Sequence, residues 1–213
     1  MQIATDADMV MFDFDATWHR VAEDVLQRPL YVQLKTFRMA ARYGLSPKEH
    51  QKVWAVFNQT GAWARCVYIP SAIESLSMML DMGHQVHVVS SIPPEYAPLR
   101  RQQMDHLGLK KAALHIARKS YDTAKNSAIP TKRDILAQIR PLFFADDLWA
   151  HCLEAAQILV PYVAFVETTH DGNGNPVEGV HRHRDLAEAI RQFGAGLHPI
   201  LHARNAPQED TPC

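Results

Sequence analysis

The order of apolar runs and helix-like patterns along the chain predicts strands and helices that alternate. Short apolar runs rich in β-branched or aromatic residues are typical of buried strands, and they occur at 9–12, 86–89, 113–116, 142–145 and 162–166. Apolar residues at helical spacing lie between these runs and predict helices beginning near Ser46, Ser71, Ala97, Thr131, Leu148 and Asp185. Alternation with short links indicates an α/β fold, a doubly wound parallel sheet covered by helices on both faces.

Three of these helix starts carry a capping-box pattern, in which Ser or Thr is followed three residues later by an acidic residue. They are Ser46–Glu49, Ser71–Glu74 and Thr131–Asp134. Each of them therefore predicts a sharp helix N-terminus.

The segment between Trp18 and about Val67 has no strand pattern and predicts a helical insertion after the first strand. Its first helix is predicted over 30–41, with Gly44 as the stop, and its second begins at Ser46. Periodicity alone gives equal weight to two interpretations, a separate cap and a larger core.

We expect the insertion, residues 18–67, to form a small helical cap. The α/β core domain is then made of residues 1–17 and 68–203. Residues 204–213 are polar and contain two prolines, which predicts a disordered tail.

Acidic side chains follow two of the predicted strands. Asp13 and Asp15 come directly after the run 9–12, and Asp146–Asp147 follow the run 142–145. Residues two apart in a strand point to the same side, so Asp13 and Asp15 could face one small volume. The carboxyl ends of parallel strands meet at one edge of a sheet, where ligands bind in such folds. Two carboxylates held together require a cation or a shared proton.

Composition and charge limit the choice of function. With 213 residues, of which 47% are hydrophobic, the chain is long enough for one well-buried core. Its net charge of −1 disfavours nucleic acid as a partner. The three cysteines are odd in number and are not in metal-type pairs, which indicates ordinary thiols of a reducing compartment.

No membrane or export signal is evident in the sequence. Asp6 and Asp8 precede the first apolar run, which argues against a signal peptide. The longest apolar stretch, 155–166, is broken by Pro161 and is too short to span a bilayer. We therefore expect a cytoplasmic protein that has no membrane partner.

Four segments together resemble the motifs of the haloacid dehalogenase superfamily. They are Asp13-x-Asp15-x-Thr17 after an apolar run, Ser90 at a strand end, Lys132 at a helix start, and Asp146–Asp147 after a strand. The helical insertion and the ending Ser90–Pro93 resemble 5′(3′)-deoxyribonucleotidases. The layout of residues 118–147 is similar to the phosphatase domain of phage polynucleotide kinases.

The resemblance implies a Rossmann-like core and a phosphatase that acts through an aspartyl-phosphate. Asp13 would be the nucleophile, and Asp15 would protonate the leaving group and then help to activate water. Lys132 would neutralise the phosphoryl group, with Lys125 and Arg100 as alternative cations.

Ser90 and Ser91 would bind phosphoryl oxygens with their hydroxyl and N–H groups. The implied cofactor is Mg²⁺, whose oxygen ligands would come from Asp13, Asp15, Asp146 and Asp147. The sequence leaves open which residue of the last pair is the ligand. Capping of the following helix by Asp147 is an equally weighted interpretation.

Two groups of residues outside these motifs carry alternatives. His181 and His183, near His170 and Asp171, lack a matching ligand set and are interpreted as surface residues. Aromatic residues of the insertion would either line a base-stacking pocket or, more commonly at this spacing, pack in a core; they are Trp54, Phe57, Trp63 and Tyr68.

The leading hypothesis is a Mg²⁺-dependent phosphomonoesterase that acts on a small phosphorylated substrate, with nucleoside monophosphates as first candidates. A polynucleotide 3′-end phosphatase is the alternative enzyme. A non-catalytic relative that binds phosphoryl ligands or proteins is the alternative from another class. The leaving group and the oligomeric state are left open.

Overall fold

A computed structural model describes residues 1–118, 128–168 and 175–204 of the chain. In chain order the strands are β1 (Gln2–Thr5), β2 (Phe12–Asp13), β3 (Val67–Tyr68), β4 (Gln85–Ser90), β5 (Ala113–Ile116), β6 (Phe143–Asp146), β7 (Tyr162–Val166) and β8 (Val180–His183). The α-helices are α1 (Phe14–Leu26), α2 (Met39–Arg42), α3 (Pro47–Gln59), α4 (Pro70–Asp81), α5 (Ala97–His106), α6 (Lys132–Ile139), α7 (Trp149–Gln157) and α8 (Leu186–Arg204). Short 3-10 turns lie at Ala62–Arg65 and Pro94–Tyr96.

Six strands form one sheet in the order β5-β4-β1-β6-β7-β8, and every neighbouring pair is parallel. β1 lies between β4 and β6, so the chain order reverses direction beside it. Two hydrophobic clusters cover the two faces. The predicted α/β class, a doubly wound parallel sheet, is therefore confirmed.

The predicted first strand at 9–12 is wrong, because β1 comes earlier in the chain. Ile3 and Ala4 of β1 are buried on opposite faces of the sheet and belong to different core clusters. Met9 has a φ of 64°, which no extended strand accommodates. The N–H groups of Met11 and Phe12 both donate to the carbonyl of Ala7. The run 9–12 therefore forms a compact turn that leads from β1 into β2.

The predicted helix over 30–41 is also wrong. α1 begins before it and ends where Gln27 takes a left-handed conformation (φ 53°). Residues 31–34 are neither helix nor strand, and the side chains of Tyr31 and Leu34 are exposed. The apolar spacing over 30–41 thus does not correspond to the buried face of one helix.

Of the three predicted capping boxes, two are present. Ser46 and Glu49 cap α3, and Thr131 and Asp134 cap α6, each with both reciprocal hydrogen bonds. The third is wrong, because α4 begins at Pro70, whose fixed φ suits the first helical position, and it has no side-chain cap.

The C-terminal part of the described chain contains two departures from the sequence prediction. β8 was not predicted, and it adds a sixth strand beside β7. α8 continues past Gly194, the expected stop, to Arg204. The predicted tail begins at that residue, and 205–213 lie outside the described residues.

The helical insertion lies between two short strands that pair with each other. β2 and β3 are antiparallel, with Phe12 opposite Tyr68 and Asp13 opposite Val67. The helices between them lie within 14–66, and their buried side chains join the same cluster as one face of the sheet. The division into cap and core remains a prediction, and the strand pair places its junction at these residues.

Among the described helices, none is long and apolar enough to cross a membrane.

Candidate functional site

Three buried carboxylates meet at the carboxyl end of the central strands. Asp6 directly follows β1, Asp146 ends β6, and Asp147 comes next. The backbone N–H of Asp6 donates to the carbonyl of Ala145 at 2.8 Å, which holds the two strand ends side by side. Carboxylate oxygens from the three acids all lie within 4.8 Å of one another. We call Asp6, Asp146 and Asp147 the acid cluster.

One lysine contacts two members of the acid cluster. Lys132 Nζ lies 2.7 Å from Asp146 Oδ2 and 2.9 Å from Asp6 Oδ1. Burial by itself would lower the pKa of Lys132, but the carboxylates of Asp146 and Asp6 outweigh burial and raise it. Lys132 is the first residue of α6, where the helix dipole disfavours a cation. The two carboxylates offset that effect, and Lys132 lies beside Asp146 as the motif layout predicts, while its role stays a prediction.

The position of Asp146 is fixed by hydrogen bonds on both oxygens. Oδ1 accepts from the N–H of Leu148 at 2.9 Å, and His151 Nδ1 lies 3.2 and 3.1 Å from the two oxygens. Burial would raise the pKa of Asp146, but Lys132 and His151 outweigh it and hold that pKa well below its ordinary value.

Asp147 is 4% exposed and lines the adjoining cavity. It does not cap the next helix, because the N-cap of α7 is Leu148. The capping interpretation of Asp147 is therefore wrong.

Asp6 carries the most unfavourable charge of the cluster. Burial raises the pKa of its carboxyl well above the ordinary value, Lys132 opposes this, and Asp146 and Asp147 raise it further. The cluster thus contains three carboxylates, and Lys132 contacts two of them.

This donor set fits a divalent cation. Mg²⁺ prefers carboxylate and carbonyl oxygens, and a doubly charged ion would reduce the repulsion among the three clustered carboxylates. Asp6, Asp146 and Asp147 provide the clustered oxygens that would hold such an ion.

A fourth acid, Asp8, lies two residues beyond Asp6 and lines the same cavity. Its Oδ1 accepts a hydrogen bond from Arg100 Nη2, and its side chain is 24% exposed. Arg100 is fully buried and lies over the ring of Phe12 at 4.2 Å from the centroid. The expected alternative cation is thus a partner of Asp8, and it does not line the cavity.

The two serines after β4 have different environments. Ser90 is fully buried, and its Oγ accepts from the N–H of Ile92 at 3.3 Å. Ser91 lines the cavity, and its buried Oγ has no hydrogen-bond partner among the described residues. Ser91 is therefore the serine that is able to donate to a ligand there.

The predicted pair Asp13 and Asp15 lies outside the acid cluster. Asp13 is the N-cap of α1, where its Oδ1 accepts from the N–H of Ala16 at 2.9 Å. Asp15 lies in the first turn of that helix, 2.6 Å from Arg42 Nη2, and accepts from the hydroxyl of Tyr43 at 3.0 Å. Because the chain turns at 9–12, these acids face the helical insertion and not the end of β1.

Asp6 and Asp8 are the site residues that the sequence interpretation missed. The signal was the run Ile3–Thr5 followed by Asp6-x-Asp8. That run is shorter and less apolar than 9–12, so apolar patterning favours the longer run as the strand. The acid pair that follows the first strand is therefore Asp6 and Asp8, seven residues before the predicted pair Asp13 and Asp15.

The cavity beside the acid cluster has a volume of about 690 Å³. It is lined by Asp6, Asp8, Asp147 and Lys132, and also by side chains from α1, α3, the turn at 62–65 and residues 37–40. Among the predicted aromatic candidates, Trp54 and Trp63 line it, as do Phe14 and His50. Phe57 is buried in the core, and Tyr68 is exposed away from the lining.

The remaining predicted residues lie elsewhere. Lys125, His170 and Asp171 lie outside the described residues. His181 is exposed as expected, but His183 is 2% exposed, and its Nε2 lies 3.1 Å from the hydroxyl of Tyr162. The surface interpretation of His183 is therefore wrong.

No protein-family model matches the sequence, and no curated protein matches it significantly. Solved structures match the fold. D,D-heptose 1.7-bisphosphate phosphatase from B. bronchiseptica, complexed with magnesium and phosphate, is 16% identical with a TM-score of 0.55, and the match covers 92% of this chain and 98% of that one.

A putative β-phosphoglucomutase from Thermotoga maritima is 14% identical with a TM-score of 0.57, and the match covers 91% and 98% of the two chains. A HAD family hydrolase from Deinococcus radiodurans R1, with bound phosphate and sodium, is 17% identical with a TM-score of 0.55, and the match covers 95% of each chain. The chain therefore has the fold of haloacid dehalogenase-like hydrolases. None of these three is a nucleotidase or a polynucleotide kinase, so those narrower resemblances stay predictions.

Proposed function

We propose that this protein is a Mg²⁺-dependent phosphatase that hydrolyses small phosphate monoesters through an aspartyl-phosphate on Asp6. The observation that carries the proposal is the buried cluster of Asp6, Asp146 and Asp147 with Lys132, at the carboxyl edge of the sheet and open to a cavity. The fold supports it, since two of the similar structures hold phosphate and one of these holds magnesium as well.

Asp6 is the proposed nucleophile because it follows the central strand and faces the cavity. One of its carboxylate oxygens attacks phosphorus, and the bond from phosphorus to the leaving oxygen breaks. Water then attacks the acyl phosphate, which releases inorganic phosphate and restores the carboxylate.

Asp8 is the proposed general acid and base. It is two residues from Asp6, partly exposed and at the cavity wall, where a leaving oxygen can reach it. It would give its proton to the leaving alkoxide in the first step and take one from water in the second.

Lys132 and Ser91 would hold the phosphoryl group. Lys132 lies between the nucleophile and Asp146, so its charge is positioned for an oxygen that becomes more negative during transfer. The unpartnered hydroxyl of Ser91 would donate a further hydrogen bond. Ser90 is left with a structural role.

Mg²⁺ would be held by Asp6 and the Asp146–Asp147 pair, and when bound it would neutralise charge on the phosphoryl oxygens. A binding test needs no activity. Mg²⁺ should raise the melting temperature, with about 2.7 kcal/mol of stabilisation at one hundred times its dissociation constant. Asp147→Asn should remove most of that shift, whereas the exposed control Asp24→Asn should keep it.

The decisive experiment is release of inorganic phosphate from a panel of monoesters with Mg²⁺. Asp6→Asn should lower kcat by about a thousandfold or more. Asp13→Asn, which keeps a good helix cap, should retain wild-type kcat within about a factor of two. Full activity of Asp6→Asn, or loss of activity in Asp13→Asn alone, would overturn the assignment.

The cavity of about 690 Å³ favours a small substrate over a polymer. A 3′-phosphorylated oligonucleotide in the same panel tests the alternative. Hydrolysis of the oligonucleotide in preference to small esters, with a steep salt dependence, would indicate a polynucleotide end phosphatase.

A further inference from the structure

Helix α3 presents two different stripes of side chains. Val53 and Phe57 are fully buried in the hydrophobic core. His50, Trp54 and Asn58 are spaced by four residues, share a neighbouring face, and line the cavity beside the acid cluster. Core packing therefore accounts for the first stripe, whereas the second lines the cavity as well as packing, through Trp54, against that core.

Aromatic rings from three elements pack against one another beside the cavity in similar orientations, and Trp63 is only 4% exposed. Phe14 is stacked with Trp63 at 5.4 Å between centroids and 23° between planes. Trp54 is stacked with Phe14 at 6.0 Å and 24°, and with Trp63 at 6.1 Å and 27°. A cavity lined by rings with nearly common planes suits a flat guest that stacks with them.

The polar edges of both indoles are already satisfied. Trp54 Nε1 donates to His50 Nε2 at 2.9 Å, and Trp63 Nε1 donates to Asn58 Oδ1 at 3.0 Å. These bonds fix the rings before any ligand arrives, which reduces the entropy lost on binding.

The same bonds set the donor pattern of the wall. An indole N–H is a donor only, so neutral His50 must accept at Nε2 and carry its proton on Nδ1. Asn58 accepts with its oxygen, so its amide NH₂ has two donors. Burial lowers the pKa of His50, which favours the neutral ring. The wall therefore combines flat apolar surfaces with N–H donors.

We propose that the leaving group of the substrate carries a planar heteroaromatic ring, which stacks on the Phe14–Trp54–Trp63 wall and accepts hydrogen bonds from Asn58 and His50. This inference rests on the proposed function, because the acid cluster, which lines the same cavity through Asp6 and Asp147, would hold the phosphoryl group. Nucleoside monophosphates are one class with this chemistry, and phosphate esters of heteroaromatic alcohols are another.

Two matched pairs of esters test the inference. Benzyl phosphate and cyclohexylmethyl phosphate differ in the planarity of a ring of similar size, and both have alkyl leaving groups. Uridine 5′-monophosphate and ribose 5-phosphate share the reacting phosphate and the sugar and differ in the base. In wild-type protein we expect kcat/KM to favour the aromatic member of each pair by about tenfold or more, as base stacking on one side chain provides.

Variants assign the effect to the wall. Trp54→Leu should lower both selectivity ratios by about tenfold, Trp54→Phe should restore most of them, and Tyr31→Leu, at an exposed ring outside the cavity, should leave them unchanged. Asn58→Asp keeps the acceptor for Trp63 and removes the donors. It should lower the ratio for the uridine pair and spare the benzyl pair.

A binding measurement separates this inference from the proposed function. The Asp6→Asn protein should bind benzyl phosphate more tightly than cyclohexylmethyl phosphate by calorimetry, whether or not any ester is hydrolysed. Asp6-dependent hydrolysis without preference within either pair would overturn the inference and leave the proposed function standing. Preferential binding without hydrolysis by wild-type protein would overturn the function and support the aromatic wall.

Discussion

Lys132 Nζ lies between two carboxylates, 2.7 Å from Asp146 and 2.9 Å from Asp6, with only 3% of its side chain exposed. This ammonium group is a buried positive charge beside an acid cluster that also contains a third acid, Asp147. Its removal would leave buried negative charge without a partner, which is far more costly than loss of an exposed ion pair.

We therefore expect Lys132→Met to lower the free energy of unfolding by about 3–5 kcal/mol without Mg²⁺ and to abolish phosphate release. Urea unfolding with and without Mg²⁺ measures the first effect. The loss should be smaller with the ion present, since a bound cation would replace part of the missing charge. Lys48→Met, at an exposed position, is the control, and an equal loss in both variants would contradict the role of Lys132.

Asp8 has a test that depends on the leaving group. A 4-nitrophenolate ion departs without a proton, whereas an alkoxide needs one. Asp8→Asn should thus lower kcat/KM for alkyl phosphates by about 10²–10⁴-fold and affect 4-nitrophenyl phosphate much less. A uniform loss for both substrates would show that Asp8 does not act as the general acid.

Much of the fold follows from local patterns in the sequence. The capping boxes at Ser46 and Thr131 define helix starts because each satisfies two backbone donors within four residues. The strands that end in Ser90 and Asp146 are long enough and apolar enough to be evident. These elements also placed Lys132, Asp146 and Asp147 correctly at one edge of the sheet.

The error at the start of the chain has a physical cause. Both Ile3–Thr5 and Val10–Phe12 are buried, and burial is what an apolar run indicates. The difference lies in the backbone, because Met9 adopts a positive φ and the turn closes on the carbonyl of Ala7. Neither Met9 nor its neighbours carry the Gly or Asn that marks such a turn in a sequence. Asp6 and Asp8 are therefore identified as site residues only by the strand pairing of β1 in the sheet.

A histidine pair across β4 and β5 predicts the pH dependence of stability. His87 Nδ1 lies 3.0 Å from His115 Nε2. Burial lowers the pKa of both imidazoles below the ordinary 6.5, and the charge of His115 lowers that of His87 further. The unfolded chain then binds protons more readily than the folded one, so stability is full above about pH 6.5 and falls as the pH drops below it.

His115→Gln should reduce this acid sensitivity, because it removes one of the two titrating rings and the repulsion between them. The free energy of unfolding at pH 7.5 and at pH 5.5, measured in urea, gives the pH-dependent loss for each protein. We expect a smaller loss in the variant than in the wild type. The exposed control His106→Gln should leave the loss unchanged, and an unchanged loss in His115→Gln would contradict the pairing.

Asp15, which the sequence predicts to be a catalytic group, lies against Arg42 and provides the last prediction. That guanidinium is 2% exposed, and the Asp15 carboxylate lies 2.6 Å from its Nη2 while accepting from the hydroxyl of Tyr43. Asp15→Asn would remove the carboxylate charge beside the buried arginine and should lower the free energy of unfolding by about 2 kcal/mol or more. If Asp6 is the nucleophile and Asp8 the acid, kcat of the folded Asp15→Asn protein should stay within a few fold of wild type, and D15N should show the same preference among leaving groups. If Asp15→Asn instead lost activity only toward alkyl phosphates and kept its stability, the general acid would be Asp15 and not Asp8.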